Sequence, residues 1–245
     1  MKSPIPWIGG KSQLKTKIVE AFPPDKSYDR FIDVFGGGGS VLFAKDKHAA
    51  LEVYNDANSN LVNFFRCLKY HRQELEREIR YYLNSREMFL DCKDHINSRG
   101  FTVIQRAAMF FVLIKTSYGA DVRSFGCNKK VLDTDDFKSL ENRLSGVTIE
   151  NKDYADLIKV YDRPKALFYC DPPYHTTEKH YDVKFTQADH EKLCLILHRI
   201  KGKFVLSYND DDYIRSLYAD YNITAVSRSN SLSSGSFKEV IITNF

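Results

Sequence analysis

Ala166-Leu167-Phe168-Tyr169-Cys170-Asp171-Pro172-Pro173-Tyr174 is the stretch on which the reading of this chain turns. Five apolar residues stopped by a proline pair read as a buried strand ending in a rigid turn. An acid, two prolines and an aromatic ring are thereby set at a strand's carboxyl end, where open α/β sheets bind ligands. These groups suit alkylation of an exocyclic amine on a nucleobase. The lone pair of such an amine is delocalised into the ring, so the nitrogen is a poor nucleophile. A carboxylate accepting one N–H and a backbone carbonyl accepting the other would draw it towards tetrahedral geometry. Proline has a fixed φ and no N–H, so the turn holds its carbonyls in place. Tyr174 offers a face on which a flipped base can stack. Asp and Pro are also ordinary turn residues, and the motif gains meaning from what lies upstream.

Arg30-Phe31-Ile32-Asp33-Val34-Phe35 reads as a short strand, followed directly by Gly36-Gly37-Gly38-Gly39-Ser40. Val41-Leu42-Phe43-Ala44-Lys45 then begins a helix, with Ser40 as its N-cap. Strand, glycine turn and helix bring backbone amides close to a ligand. Asp56 follows a second apolar run, Ala49 to Tyr54, and an acid there can hold a ribose through its hydroxyls. The spacing does not match the dinucleotide fingerprint, since Val41 stands where its third glycine belongs. Near the start, Pro6-Trp7-Ile8-Gly9-Gly10-Lys11 places a lysine beside paired glycines, without phosphate-loop spacing. That lysine can meet a carboxylate as a point charge, and Trp7 can cover an apolar or cationic group.

Trp7 to Lys11, Asp33 to Ser40, Asn55-Asp56-Ala57-Asn58 and Asp171 to Tyr174 closely resemble, in this order, the adenine-specific DNA methyltransferase family. The likeness is to the group in which a lysine-bearing motif precedes the cofactor loop, then a recognition domain, then the catalytic motif. It extends to Glu239–Phe245, which looks like the family's closing strand. The resemblance implies S-adenosyl-L-methionine as methyl donor and adenine N6 as acceptor. It places Lys11 at the donor's methionine carboxylate, with Trp7, Gly9 and Gly10 also at the donor. Asp33, Phe35, Gly36, Gly37, Gly38, Gly39 and Ser40 would wrap its methionine and sugar, and Asp56 its ribose. Asp153 and Tyr154 would meet the donor's adenine ring. Asp171, Pro172, Pro173 and Tyr174 would hold the target amine and base, with Asp171 also bordering the donor.

Composition sets wider bounds. The chain has 245 residues, 43% hydrophobic, enough for one full core and a smaller insertion. A net charge of +4 permits a polyanionic partner. The cysteines, Cys67, Cys92, Cys127, Cys170 and Cys194, are odd in number and contain no C-x-x-C pair. That argues against disulfides or a zinc site and for a reducing compartment. His175, Glu178, His180 and His190 match no metal pattern, and amine methylation by a sulfonium needs no metal. With no signal peptide and no long apolar run, a cytoplasmic protein without a membrane span is expected.

Residues 60–97 have helical periodicity and heavy charge, and 103–114 form a richly apolar helix. Lys115 to Lys130 then turns polar, glycine-bearing and basic. Lys115, Ser117, Tyr118, Arg123, Ser124, Asn128, Lys129 and Lys130 are the candidate DNA contacts there, with Arg123 able to fork onto guanine. Past the catalytic motif, helices are expected over 187–200 and 213–218, and strands over 204–209, 223–226 and 239–245. The alternation predicts an α/β fold. The resemblance adds a doubly wound, Rossmann-like sheet with its last strand antiparallel. Residues 1–59 and 146–245 would form the catalytic domain, and 60–145 an inserted helical target-recognition domain. Duplex DNA with a specific short site is the expected partner, bound by a monomer or weak dimer. Cytosine N4 or RNA as acceptor remains an alternative, as does a catalytically silent nucleic-acid-binding module.

Overall fold

Side chains of successive strand residues go to two different cores, and this alternation puts helices on both faces of one sheet. The computed structural model describes residues 1–126, 132–175, 185–229 and 236–245. Along the chain run α1 (Lys15–Glu20), β1 (Arg30–Asp33), β2 (Leu51–Asn55), α2 (Ser59–Tyr70), α3 (Arg72–Ile79), α4 (Arg86–His95), α5 (Val103–Thr116) and α6 (Phe137–Leu144). There follow β3 (Val147–Glu150), α7 (Tyr154–Tyr161), β4 (Ala166–Cys170), α8 (Gln187–Arg199), β5 (Lys203–Asn209), α9 (Asp212–Leu217), β6 (Asn222–Ser229) and β7 (Ser236–Thr243).

The strands form a seven-stranded sheet in the order β3-β2-β1-β4-β5-β7-β6. All neighbours are parallel except β7, which runs antiparallel to both β5 and β6. On one face Phe31, Tyr54, Leu167 and Tyr169 pack with the helices α2 to α6. On the other, Ile32, Val53, Phe168 and Cys170 pack with α7, α8 and α9. β4 is buried on both faces, which explains why its sequence is apolar without alternation.

This is the doubly wound α/β architecture expected, with the final strand reversed. From β1 the chain steps outward to β2, whereas from β4 it steps the other way to β5. The strand order therefore switches between β1 and β4, and a crevice opens beyond their carboxyl ends. Asp33 ends β1 and Asp171 follows β4. The helices α2 to α6 lie between β2 and β3 in the chain but share one continuous core with a face of the sheet.

Two local expectations need correction. The glycine run does not lead into a helix capped by Ser40. A single 3₁₀ turn, Leu42–Ala44, follows, with no side-chain cap. Val41, Leu42 and Phe43 are all buried, so packing rather than helical hydrogen bonding shapes this segment. The first strand also stops at Asp33, because the chain turns at Val34 and Phe35 to enter the loop.

Candidate active site

The loop from Gly36 to Ser40 is fastened from three sides. The Gly36 amide donates to the Asn55 carbonyl at 2.7 Å, the Tyr54 hydroxyl donates to the Gly37 carbonyl at 2.7 Å, and the Gly37 amide donates to Asp56 Oδ2 at 2.9 Å. A Cβ on Gly36 would collide with the Tyr54 ring. Gly37 has φ of +50°, and a Cβ there would lie 2.7 Å from Trp7 Cδ1. These positions need glycine because backbone and ring approach too closely for any side chain. The residues Trp7 to Lys11 thus form one wall over the loop.

Asn55 joins a second wall. Its Nδ2 donates to the Val34 carbonyl at 2.9 Å and the Lys152 carbonyl at 3.1 Å, while its Oδ1 accepts from the Lys152 amide at 2.8 Å. That clamp brings Asp153 and Tyr154 to the crevice. Asp153 caps α7 through the Ala155 amide. Tyr154 packs with Phe35 and Phe185, with ring centroids 5.5 and 5.6 Å away. Phe185 is fixed by the start of α8. Thr186 bonds Asp189 through both its amide and hydroxyl, and Phe185 lies 4.8 Å from the His190 ring, a hydrophobic staple across the first turn.

One cavity results, bordered by Trp7, Gly9, Gly10, Lys11, Asp33, Phe35, Gly36, Gly37, Gly38, Ser40, Asp56, Asp153, Tyr154 and Asp171. Every residue expected at the donor is therefore gathered there except Gly39, which faces Phe43 instead. Pro173 also borders it, but Pro172 and Tyr174 do not.

Three acids make this cavity electrostatically tense. Asp33 is 1% exposed, and neither carboxyl oxygen makes a well-formed hydrogen bond. Burial, aided by the nearby carboxylates of Asp171 and Asp56, pushes its pKa far above the ordinary range. Asp171 is also raised by burial, although the Lys11 ammonium opposes the shift. Lys11 Nζ lies 2.7 Å from Asp171 Oδ2, and the Ser207 hydroxyl donates to Oδ1 at 2.8 Å. The same ammonium donates to the Gly9 carbonyl at 2.8 Å and lies 4.7 Å from the Tyr174 ring centroid. Asp56, raised by burial, is offset by amide bonds from Asn58 and Gly37.

Tyr174 differs from an open stacking platform: it is 9% exposed, with Lys11 over its ring and its hydroxyl donating to the buried Glu239 on β7. Among the nucleic-acid candidates, Tyr118, Arg123 and Ser124 are exposed, and Ala120, Asp121 and Val122 border the cavity, so this loop reaches its mouth. Ser117 must be corrected: it is fully buried against α5, its hydroxyl turned to the Ile114 carbonyl. Lys115 lies 5.5 Å from the Phe111 ring on the same helix. Asn128, Lys129 and Lys130 lie outside the described residues, as do Glu178 and His180. His175 pairs with Asp211 and His190 with the Tyr208 hydroxyl. No group of three or more metal-ligating side chains occurs among the described residues, and none of their helices is long and apolar enough to cross a membrane.

Phe185 and Ser207 escape sequence reasoning, and Asn55 and Glu239 enter it only within matched stretches, without a role at the site. Thr186 and Asp189 spell a capping box, a signal that could have placed Phe185 at a helix start. Nothing local marks Ser207 or Glu239, which reach the site only through sheet register.

Comparison with known proteins assigns the class. The family model for D12 class N6 adenine-specific DNA methyltransferases matches residues 7–232, and the chain belongs to that family. It is accordingly a DNA adenine methyltransferase. Among relatives, it is 26% identical to the Type II methyltransferase M1.LlaDCHI of Lactococcus lactis subsp. cremoris, covering 98% of this chain and 94% of that protein. It is 26% identical to the Type II methyltransferase M.MjaIII of Methanocaldococcus jannaschii, covering 90% and 89%. A Type II methyltransferase of Paramecium bursaria Chlorella virus NC1A, M.CviBI, is 23% identical, covering 90% and 88%.

Proposed function

We propose that this enzyme methylates adenine N6 at a specific short site in duplex DNA, on a base flipped into the crevice between β1 and β4. The observation that carries the reading is the meeting of Lys11, Asp33, Asp56 and Asp171 around one cavity at the sheet's switch point.

S-adenosyl-L-methionine suits this cavity. The buried acid Asp33 has no strong partner of its own, the loop at Gly36 and Gly37 leaves no room for a Cβ, and an aromatic slot lies opposite. Lys11 would take the donor's carboxylate, Asp33 and the glycine loop its methionine and sugar, and Asp56 its ribose. Phe35, Tyr154 and Phe185 would enclose the adenine ring, with Asp153 at its edge. When bound, the sulfonium would supply an electrophilic methyl group, whose carbon the adenine N6 lone pair would attack as the carbon–sulfur electron pair returned to sulfur.

The protein contributes alignment and electrostatics. Ser207 holds Asp171 Oδ1, so the carboxylate is oriented before the base arrives. Oδ2 is held by Lys11. A donor carboxylate competing for that lysine would release Oδ2 to accept an N–H from the target amine. The same movement would uncover the Tyr174 ring for stacking, while Glu239 keeps its hydroxyl anchored. A backbone carbonyl of the proline turn takes the second N–H, and the surplus proton leaves through Asp171 or to water. Flipping the base costs roughly a few kcal/mol, which contacts in the crevice must offset. The helices between β2 and β3, with the loop at Tyr118 to Ser124, would provide target recognition.

Expression in a host lacking adenine methylation tests this directly. Nucleosides from its DNA should contain N6-methyladenine confined to one short sequence; N4-methylcytosine alone would transfer the chemistry to the other amine.

A further inference from the structure

The exposed stretch around Arg123 is held more firmly than a solvated loop requires. Gly119, Ala120 and Val122 have φ of 58°, 62° and 54°. A β-branched residue in the left-handed region is a genuine outlier, and such strain persists only where surrounding contacts over-determine it. Asp121 supplies them. Its Oδ1 accepts the amides of Arg123 at 2.9 Å and Ser124 at 3.1 Å, and its Oδ2 accepts the Ser124 hydroxyl at 3.0 Å.

A second set of contacts comes from α4. Lys93 Nζ donates to the Arg123 carbonyl at 2.9 Å. Phe125 packs 5.8 Å from Phe89, with the Arg86 guanidinium 5.1 Å from its ring centroid. The Tyr118 amide donates to the Ser124 carbonyl at 2.8 Å, closing the turn. Both polar backbone groups of Arg123 are therefore held by other residues' side chains, one from each side. Arg123 is itself exposed and follows Val122, which borders the cavity.

We infer that Asp121, with Lys93 behind it, presets the Arg123 backbone for reading a base edge, and so acts as a positioning residue for target discrimination. The inference rests on the proposal that this loop meets DNA. An arginine that forks onto a base tolerates little error in direction. A loop ordered beforehand also avoids paying its ordering entropy at each encounter.

The experiment measures methylation rates on the preferred duplex and on its single-base variants for wild type, Asp121→Ala, Asp121→Asn and Arg123→Ala. Asp121→Ala should lower discrimination by roughly tenfold at the same base pair that Arg123→Ala relaxes. Asp121→Asn keeps the Oδ1 acceptor and should retain most of it. Amide exchange at Arg123 and Ser124 should speed up in Asp121→Ala but not in Asp121→Asn. Wild-type stringency in Asp121→Ala beside relaxed stringency in Arg123→Ala would overturn this inference alone, as would relaxation at a different base pair. Unchanged stringency in both would overturn the DNA-reading role of the loop, and this inference with it.

Discussion

Lys11 and Asp171 stand 160 positions apart in the chain and meet at 2.7 Å, with the lysine only 4% exposed. The cation of the N-terminal motif therefore neutralises the acid of the proline turn before any substrate is present. Removing one partner of such a pair leaves the other buried without its countercharge. Lys11→Met should lower stability at neutral pH by about 3–5 kcal/mol. Burial already raises the Asp171 pKa, and losing Lys11 raises it further. A carboxyl raised in the folded state contributes stability below its unfolded pKa, and that contribution disappears as pH rises through the folded pKa. The deficit of Lys11→Met should thus shrink on acidification into the carboxylate range, as followed by denaturant midpoints. A deficit independent of pH would contradict the pairing.

Asp33 gives a trade-off between stability and binding. Its pKa lies far above the ordinary range, chiefly from burial, so folding takes up a proton between the unfolded and folded values. The wild type should lose this contribution as pH rises through that window. Asp33→Asn should be more stable than wild type at neutral pH, with the difference fading towards acid, and should bind the donor more weakly. Thermal midpoints and calorimetry across pH measure both effects. A difference between the two proteins that stays the same at neutral and acid pH would show that burial does not raise the Asp33 pKa.

The parts of the fold visible in the sequence were those with strong periodicity or abrupt punctuation. The unbroken apolar run of β4 and the proline pair after it located the strand end that borders the cavity, because a strand buried on both faces admits little else. Phe31 beside Ile32, and Val53 beside Tyr54, already carried the two-faced pattern. The supposed helix at Val41 failed because tertiary packing of Val41, Leu42 and Phe43 overrode local propensity. Ser117 failed for a related reason: a hydroxyl in a polar stretch gave no sign that α5 would bury it. The Lys11–Asp171 pair could not be read either, since only the placement of β4 beside β1 brings them together.

Asp56 joins binding to loop shape. Its two oxygens accept the amides of Gly37 at 2.9 Å and Asn58 at 2.8 Å. Asp56→Ala should weaken donor binding by roughly 1.5–3 kcal/mol, the usual worth of a charged hydrogen bond. Asp56→Asn keeps one acceptor oxygen and should lose less. Calorimetry with the donor, and with duplex alone, separates the two ligands; an unaltered donor affinity in Asp56→Ala would leave it only a turn brace.

Phe185 closes the aromatic slot with Phe35 and Tyr154. Phe185→Ala should weaken donor binding by roughly 0.5–1.5 kcal/mol, the worth of a ring–ring contact, since the ring is already buried in the free protein. Phe185→Leu should recover part of this. Adenosine binding should fall by a similar factor, because the slot meets the base and not the amino acid. Weakened donor binding with intact adenosine binding would place the base elsewhere.

Asp171 is expected to direct a donor methyl group to adenine N6, and the fate of a labelled methyl group decides whether it does. Purified wild type and Asp171→Asn are each given methyl-labelled S-adenosyl-L-methionine and unmethylated duplex, and the DNA is digested to nucleosides. Wild type should place the label in N6-methyladenine. Asp171→Asn should be slower by more than roughly a thousandfold, given how much rate positioning and electrostatics supply. Label on another base, or near-normal transfer by Asp171→Asn, would contradict the account.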